Sequence, residues 1–272
     1  MLTINPKDIE VPKLHHYLLG AVGPRPIAFA STISEDGTPN LSPFSFFNVF
    51  SANPPIMIFS PARSGRTGAT KNTLDNVKVT KEVVINVVNH DIVQQMSLSS
   101  SPYDASIDEF IKSGLTPIPS EAIRPFRVKE SPVQFECKVN EVVELGQNGG
   151  AGNLVICEVV KIHINEAILN DKGMIDQHKI DLVSRMGGNW YCRADKNSMF
   201  EIQKPITSIG IGVDQIPLEI RNSTILSGND LGLLGSVEEI PSGTSNGASN
   251  HQEAKEFLAK GDVEAAWNVL VN

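Results

Sequence analysis

Short runs rich in β-branched and aromatic residues, each bounded by turn signals, constrain this chain more than any other feature. Pro26–Ile33 leads into Glu-Asp-Gly-Thr at 35–38, a hairpin turn. Asn40–Phe50 follows, then Ile56–Phe59 behind Pro54-Pro55, then Val83–Val88. Pro132–Leu145 alternates: Val133, Phe135, Cys137 and Val139 face one side, Gln134, Glu136, Lys138 and Asn140 the other. Asn153–Ile164 is another long strand. The series predicts one mainly β domain of closed or nearly closed topology. Helices are fewer. They are expected at Thr70–Lys81, His90–Leu98 and Ile107–Ser113, the last stopped by Gly114. Two more are expected within 251–271, where Gly261 stops the first and Asp262 caps the second. Segment 241–250, PSGTSNGASN, reads as a mobile linker.

At 272 residues the chain has room for one large domain or a domain with an appendage. Its net charge of −8 argues against nucleic-acid and membrane-surface binding, which favour basic stripes. The charge is uneven. Residues 1–204 hold 20 basic and 22 acidic residues, whereas 205–272 hold 3 and 9. The expected organisation is therefore a body at 1–204 and an acidic C-terminal extension at 205–272. Three cysteines, Cys137, Cys157 and Cys192, form no CxxC pair, which speaks against a disulfide framework or a zinc knuckle. With no signal-peptide pattern at the N-terminus and no apolar run of membrane-spanning length, a cytoplasmic setting is expected.

Segment Ser60–Asn76, SPARSGRTGATKNTLDN, carries the most chemistry. It holds Arg63, Arg66 and Lys71, five hydroxyls, two glycines and one acid, Asp75. A helix beginning near Thr70 would present unpaired backbone N–H groups to an anion. Lys71 adds a point charge, Arg66 a fork suited to phosphate oxygens, and Ser64 and Thr73 hydroxyl donors. A solvated loop with an ordinary Ser/Thr cap is the competing reading. The segment is not a Walker A loop, which needs GxxxxGK[ST], and no GxGxxG is present. Phe44, Phe46, Phe47 and Phe50, with intervening Ser and Asn, could form an apolar slot with polar edges, although alternate strand residues point into a core.

The ordered set GPRPIAFAST (23–32), NLSPFSFFN (40–48), NPPIMIFS (53–60), KNTLDN (71–76), ESPV (130–133), Gly152-Asn153 and SRMGGNWY (184–191) resembles the flavin reductase-like family of FMN-binding split β-barrels. The match runs over about residues 15–200. The resemblance implies a Greek-key FMN-binding split barrel with a few peripheral helices, here followed by a helical extension, and a homodimer with flavin near the subunit interface. It places Ser31 and Thr32 along the flavin, and Ser45, Phe46, Phe47 and Asn48 at the edge of its ring. Ser64, Arg66, Lys71, Asn72 and Thr73 match the phosphate segment, and Arg185 with Tyr191 a recurring pair near the barrel's end. Asn72 stands where the family often has Asp, which removes a negative charge from an anion site. No Gly-Asp-His tripeptide is present, a departure from the nicotinamide signature of short-chain reductases in the wider family.

The resemblance thus implies an FMN-dependent oxidoreductase, with NADH or NADPH as electron donor. The alternative is a flavoredoxin-like carrier that holds FMN and docks to a redox partner protein through its acidic tail. A barrel that binds flavin without catalysis is a third reading. For the oxidoreductase the cofactor does the hard step, so no catalytic acid–base pair is expected. His15-His16 would point apart on an extended chain and are not expected to bind metal. His90 could approach a nicotinamide or flavin ring. His163 reads as structural, and Cys157 and Cys192 as isolated packing thiols.

Overall fold

A computed structural model describes residues 1–241 and 250–271. Residues 242–249, the interior of the expected linker, lie outside the described residues. The chain divides into two compact units, Met1–Phe200 and Glu201–Asn272.

The first unit is built on strands β1 (Ala28–Ile33), β2 (Pro39–Phe44), β3 (Phe47–Ala52), β4 (Pro55–Phe59), β5 (Glu82–Val87), β6 (Pro117–Ile118), β7 (Arg127–Val128), β8 (Val133–Glu144), β9 (Asn153–Ile164), β10 (Val183–Arg185) and β11 (Tyr191–Arg193). Seven of them form one antiparallel sheet in the order β2-β1-β5-β8-β9-β4-β3. The run Asn40–Phe50, expected as one strand, is therefore two, parted by Ser45-Phe46 and sent to opposite edges of the sheet. So short a link spans only about 10 Å, so the two edges must curl towards each other. The Ser60 N–H donates to the Phe46 carbonyl at 2.8 Å and holds that seam. Pro39 and Pro43 fit an edge strand, which needs fewer ladder donors. The sheet is a split β-barrel, mainly β with peripheral helices.

β1 is buried on both faces. Ala28 and Ala30 join Met57, Phe59, Ile85, Val155 and other residues in one core; Ile27 and Phe29 join Leu41, Ile92, Met96 and Phe110 in a second. Helices α3 (Val93–Ser99) and α4 (Glu109–Ser113, stopped by Gly114 at φ 66°) cover the second core. Helix α2 (Asn72–Thr80) sends Leu74 and Val77 into the first. It starts two residues later than the sequence suggested, because Lys71 is extended (φ −96°, ψ 145°) and serves as its N-cap.

Three expectations are corrected. Gln134 and Glu136 belong to the polar face of β8, yet both are buried. Glu136 accepts the N–H groups of Glu121 (2.9 Å) and Ala122 (2.7 Å) and contacts His163 Nε2 at 2.7 Å, which pins a crossing segment onto the sheet. Burial pushes its carboxyl up, but these partners outweigh it and hold the group below its ordinary value. Second, residues 11–21 are not extended: they form helix α1 (Val11–Ala21), and His15-His16 sit on it. Third, Cys157 is not isolated. It and Cys137 lie on neighbouring strands, buried in the same core, and the Cys157 side chain together with burial raises the Cys137 thiol well above its usual value.

The second unit consists of α5 (Leu218–Arg221), α6 (Gly228–Leu234), α7 (His251–Leu258) and α8 (Val263–Val271). A capping box joins Ser227 and Asp230 at the start of α6. Gly261 (φ 77°) ends α7, and Asp262 caps α8 by accepting the Ala265 N–H at 3.0 Å. Ile216, Ile220, Leu234, Leu258 and Leu270 surround Trp267, whose indole N–H donates to the Leu234 carbonyl at 3.0 Å.

Candidate functional site

The approach to α2 is unusual because its N-cap is Lys71. A lysine side chain only donates, so it cannot accept the first N–H groups of the helix as Ser or Asp would. The Leu74 N–H turns back to the Lys71 carbonyl at 2.8 Å, which leaves the Asn72 and Thr73 N–H groups and the helix dipole for an outside acceptor. The segment's one acid, Asp75, is occupied by the Thr70 hydroxyl at 2.9 Å.

The three cations of the segment separate sharply. Arg63 is committed to structure: it donates to the Gly68 carbonyl (3.3 Å), to Glu144 (3.3 Å) and to Gln147 (3.0 Å). Among the described residues, the Arg66 guanidinium and Lys71 ammonium have no hydrogen bond or ion pair. Both line a cleft of about 430 Å³ together with Ser64, Asn72 and Thr73. All five expected phosphate residues are thus brought together around one cleft. The lining also includes Ser42 and the run Ser99-Ser100-Ser101, so hydroxyls dominate it.

Ser100 also lines an adjoining chamber of about 170 Å³, walled by Ile27, Pro43, Ser45, Met96, Arg185 and Tyr191. Arg185 lies 4.6 Å from the centre of the Tyr191 ring, a cation–π arrangement, and its guanidinium has no anionic partner among the described residues. Its backbone bonds reciprocally to Arg25 (2.9 and 2.8 Å). The Arg25 side chain is buried; it donates to the carbonyls of Leu19 (2.8 Å), Met186 (2.8 Å) and Val22, fixing the end of α1. Burial and then the Arg185 charge lower its pKa. A third chamber of about 290 Å³ shares Ser97 and Tyr191 with the second and adds His90, Gln94 and Arg193. Arg193 is held by Asp181 at 2.7 Å through two nitrogens.

Other expected residues lie away from the cleft. Ser31 and Thr32 are buried in β1 and line none of the three chambers. Thr32 belongs to a buried chain in which Asn76 donates to Thr32 (3.0 Å) and both Thr32 (3.3 Å) and Thr73 (2.7 Å) donate to Asn40 Oδ1. Phe46 meets His15 edge-on, Phe47 packs against the barrel core, and Asn48 accepts the N–H of Val49 at 2.8 Å.

Two contributors escaped the sequence reading. Glu109, 4% exposed, lines the large cleft and accepts from Asn40 Nδ2 (2.9 Å) and the Leu41 N–H (3.0 Å); burial holds its carboxyl above the ordinary value. The hairpin end Gly146–Gly152 braces the loop before α2. Gly150 N–H donates to the Arg63 carbonyl (3.0 Å), and the Arg63 N–H to Ala151 (2.9 Å). Asn153 donates to Ser60 Oγ (3.0 Å) and the Pro61 carbonyl (2.7 Å). The glycine-rich GQNGGAG was the available signal for this brace.

The family model described as "Flavin reductase like domain" matches residues 21–180. A protein from Aquifex aeolicus (strain VF5) is 35% identical over 189 residues, 69% of this chain and 93% of its own. Among solved structures, nitrilotriacetate monooxygenase component B from Bacillus cereus is 30% identical with a TM-score of 0.69, covering 74% of this chain and 98% of its own. A protein with a split barrel domain from Shewanella frigidimarina NCIMB 400 is 28% identical with a TM-score of 0.62, covering 75% and 100%. These chains are matched almost whole, while about a quarter or more of this chain lies outside each match.

Proposed function

This chain belongs to the flavin reductase-like family, and from that membership we propose that it is an FMN-binding oxidoreductase taking electrons from NADH or NADPH. The observation that carries the reading is the pair of cations, Arg66 and Lys71, unpartnered among the described residues and lining one cleft beside a helix N-terminus that no side chain caps. When bound, FMN supplies a two-electron carrier that accepts hydride on its ring. Arg66, Lys71 and the first N–H groups of α2 hold the phosphate. Ser42 and Ser99–Ser101 offer hydroxyl partners to a polyol chain. Ile27, Pro43, Met96 and Tyr191 give the second chamber apolar walls. Ser45 and Arg185 line the same chamber and would supply donors to the polar edge of the ring. The third chamber, with His90, Gln94 and Ser97, opens beside it and suits the reacting end of the donor.

A second copy of the chain is part of the same reading. No residue of α1 is buried, and Val11, Tyr17 and Leu18 on it are exposed. Edge strand β3 exposes Val49 and Phe50 at 58% and 62%. Apolar surface of this kind marks a contact face, and light scattering on the purified protein checks for the homodimer.

The main test is spectroscopic. Purified protein, reconstituted with FMN and desalted, retains a flavin band; without oxygen, NADH or NADPH bleaches it within seconds. A band that bleaches with dithionite but with neither nucleotide points instead to the electron carrier. That alternative draws on the missing Gly-Asp-His signature and on the acidic residues 205–272, suited to a basic redox partner. Failure to retain FMN removes the phosphate-site reading.

A further inference from the structure

We propose that Gly149, at the tip of the β8–β9 hairpin and outside the cleft lining, is a positioning residue that sets the anion-binding loop and so the preference for a phosphorylated flavin. The inference rests on the FMN reading above. A Cβ at residue 149 would lie 2.9 Å from the Ser64 carbonyl oxygen and 3.1 Å from that of Gly65. Both neighbours are backbone atoms, so no side-chain rotation relieves the contact. The loop or the hairpin must move. Ser64 and Arg66, on either side of Gly65, line the cleft. Any displacement of the 64–65 backbone therefore shifts the Arg66 fork relative to Lys71 and the start of α2.

The surroundings leave the loop little freedom to escape otherwise. Two backbone hydrogen bonds tie Arg63 to Gly150 and Ala151, and the Arg63 side chain clasps Glu144 and Gln147. Ser64 N–H donates to Ala69 (2.9 Å) and Gly68 N–H to Ser64 (2.8 Å), so residues 64–69 form a small closed turn that moves as a body. Gly65 itself has nothing within 4 Å of its own Cβ position, so the close approach is a requirement on residue 149 and not on the loop residue it meets. Placement errors of this size matter because bidentate phosphate contacts are sharply directional.

The experiment compares dissociation constants for FMN and riboflavin, which differ only by the phosphate, in wild type and Gly149→Ala. A partly unfolded population weakens both ligands equally and leaves their ratio unchanged, so the ratio reads the loop alone. Wild type is expected to favour FMN strongly, and Gly149→Ala to lose about tenfold or more of that preference with riboflavin affinity kept, the loss of one charge-assisted contact. A wild type without preference for FMN sinks the FMN reading and this inference with it. A wild-type preference that Gly149→Ala fully retains overturns the inference alone. Should Gly149→Ala not fold, Gln147→Ala, which loosens Arg63 without a clash, is expected to lower the ratio in the same direction. An unchanged ratio there also overturns the proposal.

Discussion

Arg63, Arg66 and Lys71 look alike in the sequence, yet their neighbours give them different work. Among the described residues the Arg66 and Lys71 side chains have no hydrogen-bond or ion-pair partner, so truncating either should cost binding and little stability. Arg66→Ala and Lys71→Ala are each expected to weaken FMN by about 10- to 100-fold, the worth of a charge-assisted bond of about 1.5–3 kcal/mol, with riboflavin nearly unaffected. Isothermal titration with the two ligands checks this. Arg63→Ala should lower the melting temperature as well, since it unties the loop from Glu144 and Gln147. Glu144 adds a pH dependence. Lys78, then Gln147 and Arg63, hold its carboxyl down at about 2, against an ordinary value of 4.5. A depressed folded pKa contributes stability that is fully present above the unfolded value and is lost as pH falls through the folded one. Stability should thus decline between about pH 4.5 and 2, and Glu144→Gln should flatten that part of the urea-midpoint profile.

At the scale of elements, β8 and β9 bury two of the three thiols, while Cys192 stays half-buried on the short β11. Native protein should therefore react with a disulfide reagent at Cys192 alone, and Cys192→Ser should be silent until denaturant exposes the rest. An additional native thiol would mean that the barrel opens. Most strands and the caps of α4, α7 and α8 could be read directly, because alternation, Gly114, Gly261 and Asp262 are local signals. Other elements could not. The break at Ser45-Phe46 interrupts a run that looks continuous, and only tertiary placement separates its halves. The amphipathic pattern that usually betrays a buried helix was no guide to α1, none of whose residues is fully buried; Pro12 in its first turn was the usable clue. On the cleft, the cluster Ser64–Thr73 was legible from charge and hydroxyl content. Glu109 and Gly149 were not, since each acts through contacts with residues some seventy to eighty-five positions away.

For the molecule as a whole, each unit has its own core, and all cleft-lining residues belong to the first. Trp267→Ala should remove about 3–5 kcal/mol, enough to melt a unit of this size. FMN affinity should remain within about twofold, because no contact to the ligand is lost. Circular dichroism at 222 nm with a parallel FMN titration checks both halves of that statement. The strand order carries a kinetic consequence as well. The loop that gathers Arg66 and Lys71 hangs between β4 and β5, whose partners β9 and β8 lie far along the chain; Met57 and Cys157 are 100 residues apart. Contacts of such long range are slow to find, which places refolding of similar topologies in milliseconds to seconds. Quenching of FMN fluorescence should thus be absent from the earliest collapsed species and appear with the last folding phase, making the cofactor a clock for the moment the two sheet edges meet.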